Sequence, residues 1–329
     1  MKKLFFLLAC VAMSMLTMGQ DNQLVWANGR LLYGTPVESI DSLTYDAMQD
    51  IDTLHLLLPR TLIKVVHDTV YIHDTVYVET DCGGEGDTPS AGIGVFSVSA
   101  DKQVTFSKGN LQYHPANDEW RFAENQTDCI GDANRNISAD YDGWIDLFGW
   151  GTGDAPTKST TSYSDYSTFV DWGMNAIGAD APNTWRTMTK DEWDYLLNTR
   201  TDASILKGIA QVNGVNGLIL LPDKWVCPEG VTFKSGFHSS YGVAYFAAYQ
   251  TFPVDQWSKL ESAGAVFLPA TGVRNGTNIY YVQEYGFYSS VTEDGNTHAL
   301  NLCLYSSGAN ITTGGRQEAN SVRLVKDLQ

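Results

Sequence analysis

The sequence predicts an α+β fold for its C-terminal two-thirds, preceded by a small β module and an extended stalk. Two observations carry the fold class: only two stretches show helical spacing of apolar residues, and the rest of 94–329 breaks into short apolar runs bounded by glycine and turn residues. A third, the Gly- and Pro-bearing polar stretch 82–92, marks a flexible linker and a domain boundary. With 329 residues, 43% of them hydrophobic, the chain is long enough to bury a core in one or two domains. Lys and Arg number 21 against 38 Asp and Glu, a net charge of −17, so the surface repels a phosphate backbone and a nucleic-acid partner is excluded.

In chain order, residues 1–19 read as a signal peptide. Lys2 and Lys3 precede an apolar run over 4–16, and Thr17-Met18-Gly19 resembles a small-residue cleavage site before Gln20. The protein is therefore expected to be exported, to the cell surface or outer membrane, the extracellular phase or the periplasm. Leu7-Leu8-Ala9-Cys10 resembles a lipoprotein box, but only six apolar residues precede Cys10, which favours an ordinary membrane-crossing segment over a lipid anchor. No later run approaches the ~18 apolar residues of a membrane span.

Residues 20–60 form the expected β module, opening with two apolar runs around Asn28-Gly29, a hairpin signature. Residues 61–93 are the expected stalk and linker. They hold a tandem repeat, His67-Asp68-Thr69-Val70-Tyr71-Ile72 and His73-Asp74-Thr75-Val76-Tyr77-Val78, of β-forming composition. Thr69 and Thr75 lie in Asp-Thr-Val triplets that look like an O-glycosylation acceptor of some Gram-negative anaerobes; plain strand alternation also generates them.

The domain of 94–329 is expected to begin with hairpins over 95–106 and 111–122. A helix follows from Thr189, where Thr189 and Glu192 make a T-x-x-E capping box and Trp193, Leu196 and Leu197 share one face. A second covers 255–263 with Trp257 and Leu260 inward and Gly264 as its stop. Beyond it strands are expected over 265–268, 280–282, 286–291, 299–305 and 321–325.

The segment Arg186-Thr187-Met188-Thr189-Lys190-Asp191-Glu192-Trp193-Asp194-Tyr195 resembles the R-L-P-T-E-x-E-W-E-Y helix motif of the formylglycine-generating-enzyme (sulfatase-modifying factor) family, which has a C-type-lectin-like fold. Leu268-Pro269-Ala270-Thr271-Gly272-Val273-Arg274, Tyr285-Gly286-Phe287-Tyr288 and Ser321-Val322-Arg323-Leu324-Val325 follow in the family's order, the last similar to its closing G-F-R-L-V strand. The resemblance implies a lectin-like domain over roughly 95–326, closest to an exported, paralogous bacterial branch. Oxidases of the family bind copper(I) through two cysteines five apart in the late segment. Here Cys303 has His298 and Gly308 at those distances, so the resemblance implies no catalysis and no copper.

Excluding Cys10, the cysteines are Cys82, Cys129, Cys227 and Cys303, an even number compatible with three two-bridge pairings or with free buried thiols. Asp132, Asn134, Asn136, Ser138 and Asp140 place oxygen side chains at alternate positions. An EF-hand fails, because Ile137 and Gly143 stand where glycine and glutamate are required, which leaves either another calcium site or a plain polar loop. No other cofactor is expected. Trp144, Trp150, Trp172, Trp185 and Trp193 fit either a sugar platform or the core.

The function these observations favour is a surface-exposed or secreted, non-catalytic binding module that recognises a glycan or a surface protein. The resemblance places the variable ligand face between residues 280 and 320, where Tyr288, Tyr305, Asn310 and Arg316 are the candidate ligand-binding residues. The competing readings are core tyrosines, a turn asparagine and a surface ion pair. The rival class is a structural subunit of a cell-surface assembly whose aromatic surface is buried against neighbours, with an enzyme bearing an unrecognised site third.

Overall fold

The computed structural model describes residues 94–328 and, before them, six short strands; the remaining residues lie outside the description. The chain divides into two compact units, Met1–Gly86 and Asp87–Gln329.

In the first unit β1 (Asn22–Ala27), β2 (Arg30–Pro36), β3 (Leu43–Thr44), β4 (Leu54–Leu56), β5 (Leu62–Val66) and β6 (Thr69–Tyr71) form one sheet in the order β2-β1-β4-β5-β6-β3. Strands β1 and β2 pair antiparallel with Ala27 opposite Arg30, in line with the expected hairpin. The described part of 61–93 departs from one extended run. Strands β5 and β6 are antiparallel neighbours with Val66 opposite Thr69, so their backbone groups are satisfied by lateral pairing. Thr69 lies on β6; the expected signal peptide over 1–19, with Cys10, and Thr75, Cys82 and the expected linker up to residue 93 are outside the described residues.

The second unit is α+β, with few short helices among several small, mostly antiparallel sheets. Strands β7 (Phe96–Ser97) and β8 (Gln103–Phe106), and β9 (Leu111–His114) and β10 (Glu119–Phe122), are the two expected opening hairpins. The last strand of the domain, β20 (Val325–Asp327), pairs with β8, Val325 opposite Phe106, so the two ends of the domain close on one sheet.

Helix α1 (Lys190–Asp194) carries both halves of its capping box. The Thr189 hydroxyl accepts from the Glu192 amide at 3.1 Å, and the Glu192 carboxylate accepts from the Thr189 amide at 2.9 Å. After Asp194 the chain widens into a π turn (Tyr195–Thr199), which still delivers Leu196 and Leu197 to the core beside Trp193. Arg186 forks onto both oxygens of Glu192 at 2.8 Å and onto Asp327 at 2.7 Å, tying the helix start to β20. The motif residues Arg186, Thr189, Glu192 and Trp193 are thus accounted for by cap, clamp and core.

Strands β11 (Lys207–Val212) and β12 (Val215–Leu220) form a hairpin through Asn213 and Gly214, both at positive φ. With β13 (Thr251–Phe252) and β14 (Val266–Pro269) they make a sheet in the order β13-β11-β12-β14. Both faces of this sheet are covered. Leu218, Leu220 and Leu268 enter the main core with Trp193, while Ile219 and Phe267 pack with Trp257 and Leu260 of α3 (Val254–Ser262). Helix α2 (Ala244–Tyr249) precedes β13. A third cluster gathers Leu111, Trp120, Phe148, Trp172, Val322 and Leu324. Trp150, Trp172 and Trp193 are buried and belong to the core, leaving no exposed face for a sugar on these three, while Trp144 and Trp185 are half-buried.

Candidate functional site

Strands β15 (Val273–Asn275) and β16 (Asn278–Tyr280) lead into the sheet that decides the site, made of β17 (Tyr285–Asp294), β18 (His298–Tyr305) and β19 (Gly308–Gly315) in that order. Its register sets Tyr288 opposite Leu302, which faces Ile311, and Tyr285 opposite Tyr305, which faces Gly308. Because successive side chains alternate between faces, Tyr288, Leu302, Leu304, Ala309 and Ile311 point into the core, and Tyr285, Phe287, Tyr305 and Asn310 point away from it.

Parity for Tyr288, and burial in the turn after β19 for Arg316, correct two of the four candidate ligand residues. Tyr288 is wholly buried; its hydroxyl donates to the Pro269 carbonyl at 2.8 Å and accepts from the Asn110 side-chain nitrogen at 3.3 Å, and burial raises its pKa. Arg316 is 2% exposed. It donates to the carbonyls of His298, Gly295 and Tyr166 and to Glu293, and lies 4.2 Å over the Trp150 ring, so it is a staple rather than a ligand contact. Tyr305 is half-buried and Asn310 exposed, on the outer face.

The alternating oxygen set is also corrected. Asn134 is fully buried, its side-chain oxygen accepting from the amides of Asp146 and Leu147 and its nitrogen donating to Asp146 at 2.7 Å. Its oxygen faces inward while Asp132, Asn136 and Asp140 stand exposed, so the row does not converge on one point. Among the described residues no group of three or more His, Cys, Asp or Glu is placed to hold a metal. Cys129, Cys227 and Cys303 are free thiols, and burial pushes those of Cys129 and Cys303 up to about 12.

What the outer face does assemble is a set of tyrosines. Tyr285 lies at its centre, its ring centroid 5.3 Å from Tyr281, 5.4 Å from Tyr241, and 5.7 Å from both Tyr305 and Phe287. Tyr280 extends the row, 6.1 Å from Tyr281. Tyr241, Tyr280 and Tyr281 are each about half exposed, at 45, 47 and 52%. The Tyr241 hydroxyl donates to the Glu284 carboxylate.

Tyr285 and Tyr305 stand on β17 and β18 and Tyr280 ends β16, while two loops carry Tyr241 and Tyr281, both fixed from below. Asn216 is buried, and its side-chain nitrogen donates to the carbonyls of Val243 and Gln283, one in each loop, at 3.0 and 2.9 Å. The Asn216 amide donates to the Gln283 side chain at 2.7 Å. Ser306, after β18, holds the first loop: its hydroxyl accepts from Gly242, and its carbonyl accepts from His238. In the second loop Tyr281 and Gln283 adopt positive φ, +62° and +66°. Left-handed non-glycine residues cost on the order of 1–3 kcal/mol each and persist where neighbouring bonds over-determine them. Here Gln283 donates to Ala270 at 2.7 Å, and the loop passes so close over Gly272 that a Cβ there would sit 2.2 Å from the Tyr280 carbonyl.

No family model, curated protein or solved structure matches the chain. The reading of the site therefore rests on its geometry. The sequence signal for it was available in the parity of 285, 287 and 305, which share a face across paired strands, whereas 288 does not.

Proposed function

We propose that the chain is an exported, non-catalytic binding protein whose domain of 94–329, lectin-like in the manner of the formylglycine-generating-enzyme family, takes a glycan or surface-protein ligand at the tyrosine face. The observation that carries this is the contiguous row of rings around Tyr285, with Tyr241 and Tyr281 on loops held in place by buried Asn216. Tyrosines present large, amphipathic contact area at low entropic cost, and a pre-formed face avoids the ordering penalty that weakens loop-borne sites.

The test is a glycan-array and solution-mass measurement on the full chain and its Tyr281→Ala variant. Tyr281 is half exposed, so truncation is expected to leave the melting temperature within a degree or two while weakening binding tenfold or more. Equal binding by both proteins would place the ligand elsewhere. Stable self-association without glycan binding, dissolved by Tyr281→Ala, would replace this reading with a structural subunit that buries the same face.

A further inference from the structure

Resting on the binding role proposed above, we infer that the ligand of the tyrosine face is an uncharged glycan, stacked on Tyr281 and Tyr241 and oriented by Glu284. Three features of the face select this chemistry.

The first is its charge. The segments that build it, 238–245, 280–285 and 305–310, contain neither lysine nor arginine, and their one carboxylate is Glu284. Carboxylate- and sulfate-bearing ligands are recognised by arginine forks and lysine ammonium groups, because a buried or half-buried anion needs a donor of opposite charge. A uronic-acid or sulfated glycan would meet Glu284 and a chain of net charge −17, and both oppose it.

The second is the packing of the rings. A quaternary or methylated ammonium is held most strongly where several ring faces converge around a void, with the cation within about 6 Å of each centroid. Here the rings fill that space themselves: Tyr241, Tyr285 and Tyr305 stand in mutual contact, 5.4, 5.7 and 6.3 Å apart. The cluster presents outer surfaces and no cage.

The third is the mixture of ring surface and hydroxyl groups. The exposed tyrosines offer apolar faces beside phenolic donors, and Glu284 offers an acceptor that already takes the Tyr241 hydroxyl. A pyranose has the complementary make-up, an apolar C–H face bordered by hydroxyls that donate and accept. Each sugar hydroxyl can exchange water for a phenol or a carboxylate, so the polar groups of neither partner are left unsatisfied.

The experiment is affinity gel electrophoresis of the full chain through an uncharged β-glucan, an uncharged mannan, polygalacturonate, heparin and chitosan, each at 0.05 and 0.5 M salt. Retention by at least one uncharged polysaccharide is expected, with affinity changing less than twofold between the two salts. Tyr281→Ala and Tyr241→Ala are each expected to weaken it tenfold or more. Retention confined to polygalacturonate, heparin or chitosan, falling steeply with salt yet still lost in Tyr281→Ala, would overturn the uncharged class and leave the binding role standing. Retention unaffected by either tyrosine substitution, or by none of the five polymers, would overturn the inference; in the last case the array and solution mass decide separately whether the face binds another ligand.

Discussion

Arg316 and Tyr288 show why residue type alone misplaces a site. Both lie in the segment where the family resemblance puts variable ligand loops, and both are chemically suited to binding. For Tyr288 the facing is set by strand parity against its neighbours, and for Arg316, in the turn after β19, by the loop carbonyls that gather around it; neither is revealed by a single residue. Their burial turns each into a stability determinant. Tyr288→Phe removes the hydroxyl that satisfies the Pro269 carbonyl and is expected to cost about 1–2 kcal/mol. Arg316→Ala strips the donors from the carbonyls of His298, Gly295 and Tyr166 and is expected to cost about 2–4 kcal/mol. Urea titration of the two variants checks both figures; a loss of binding without a loss of stability in either would return that residue to the ligand face. Tyr305 and Asn310, drawn from the same segment, do fall on the outer face.

Among elements, those with local signals were readable and those defined by their partners were not. The T-x-x-E box, the Trp193, Leu196 and Leu197 stripe and the Gly264 stop announce α1 and α3 before any tertiary contact exists. Thr189→Ala removes one half of the box and is expected to destabilise by about 1 kcal/mol, seen as a fall of about 2–4 °C in a thermal melt. An unchanged melt would mean that Arg186, Lys102 and the backbone amide of residue 189 hold Glu192 in place without the threonine hydroxyl. Strand β19 is Gly-Ala-Asn-Ile-Thr-Thr-Gly-Gly, without apolar alternation, and is a strand because β18 offers it a complete ladder. Helix α2, six residues long, is too short to show a period. The β11–β12 hairpin carried the same Asn-Gly signal as 28–29 and was legible in principle, though not among the expected elements. Residues 321–324, expected as strand, make only an isolated bridge from Ser321 to Tyr288.

At the scale of the whole molecule, buried and half-buried carboxyls pull the pH dependence of stability in opposite directions. Burial would raise the Glu192 carboxyl, but Arg186, the Thr189 amide and Lys102 more than offset it and hold it below its ordinary value; Asp327 is held low by hydrogen bonds from Arg186. Groups depressed by folding stabilise above their unfolded pKa, so this contribution is lost as pH falls below about 4.5. Asp146 runs the other way. Burial lifts it to about 6 despite donors from Ile130 and Asn134, so its contribution is complete below about 3.8 and is lost as pH rises through 6. Asp146→Asn removes that second slope. Relative to the parent, the variant is expected to gain on the order of 2–3 kcal/mol between pH 4 and pH 7.5. Thermal melts of both proteins across that range check the sign, and parallel profiles would show that Asp146 ionises as freely folded as unfolded.

The inward placement of Arg200, Lys207, Arg274, Arg316 and Arg323 has a colloidal consequence. Against these five hidden cations only two acidic side chains, Asp146 and Glu192, are buried among the described residues, so the solvent-facing shell is more anionic than the bulk composition implies. An array of bare aromatic rings is ordinarily an invitation to clump. Here neighbouring copies crowded side by side would push one another apart over the Debye length, about 8 Å in physiological salt, keeping the sticky patch free for a partner that carries no charge of its own.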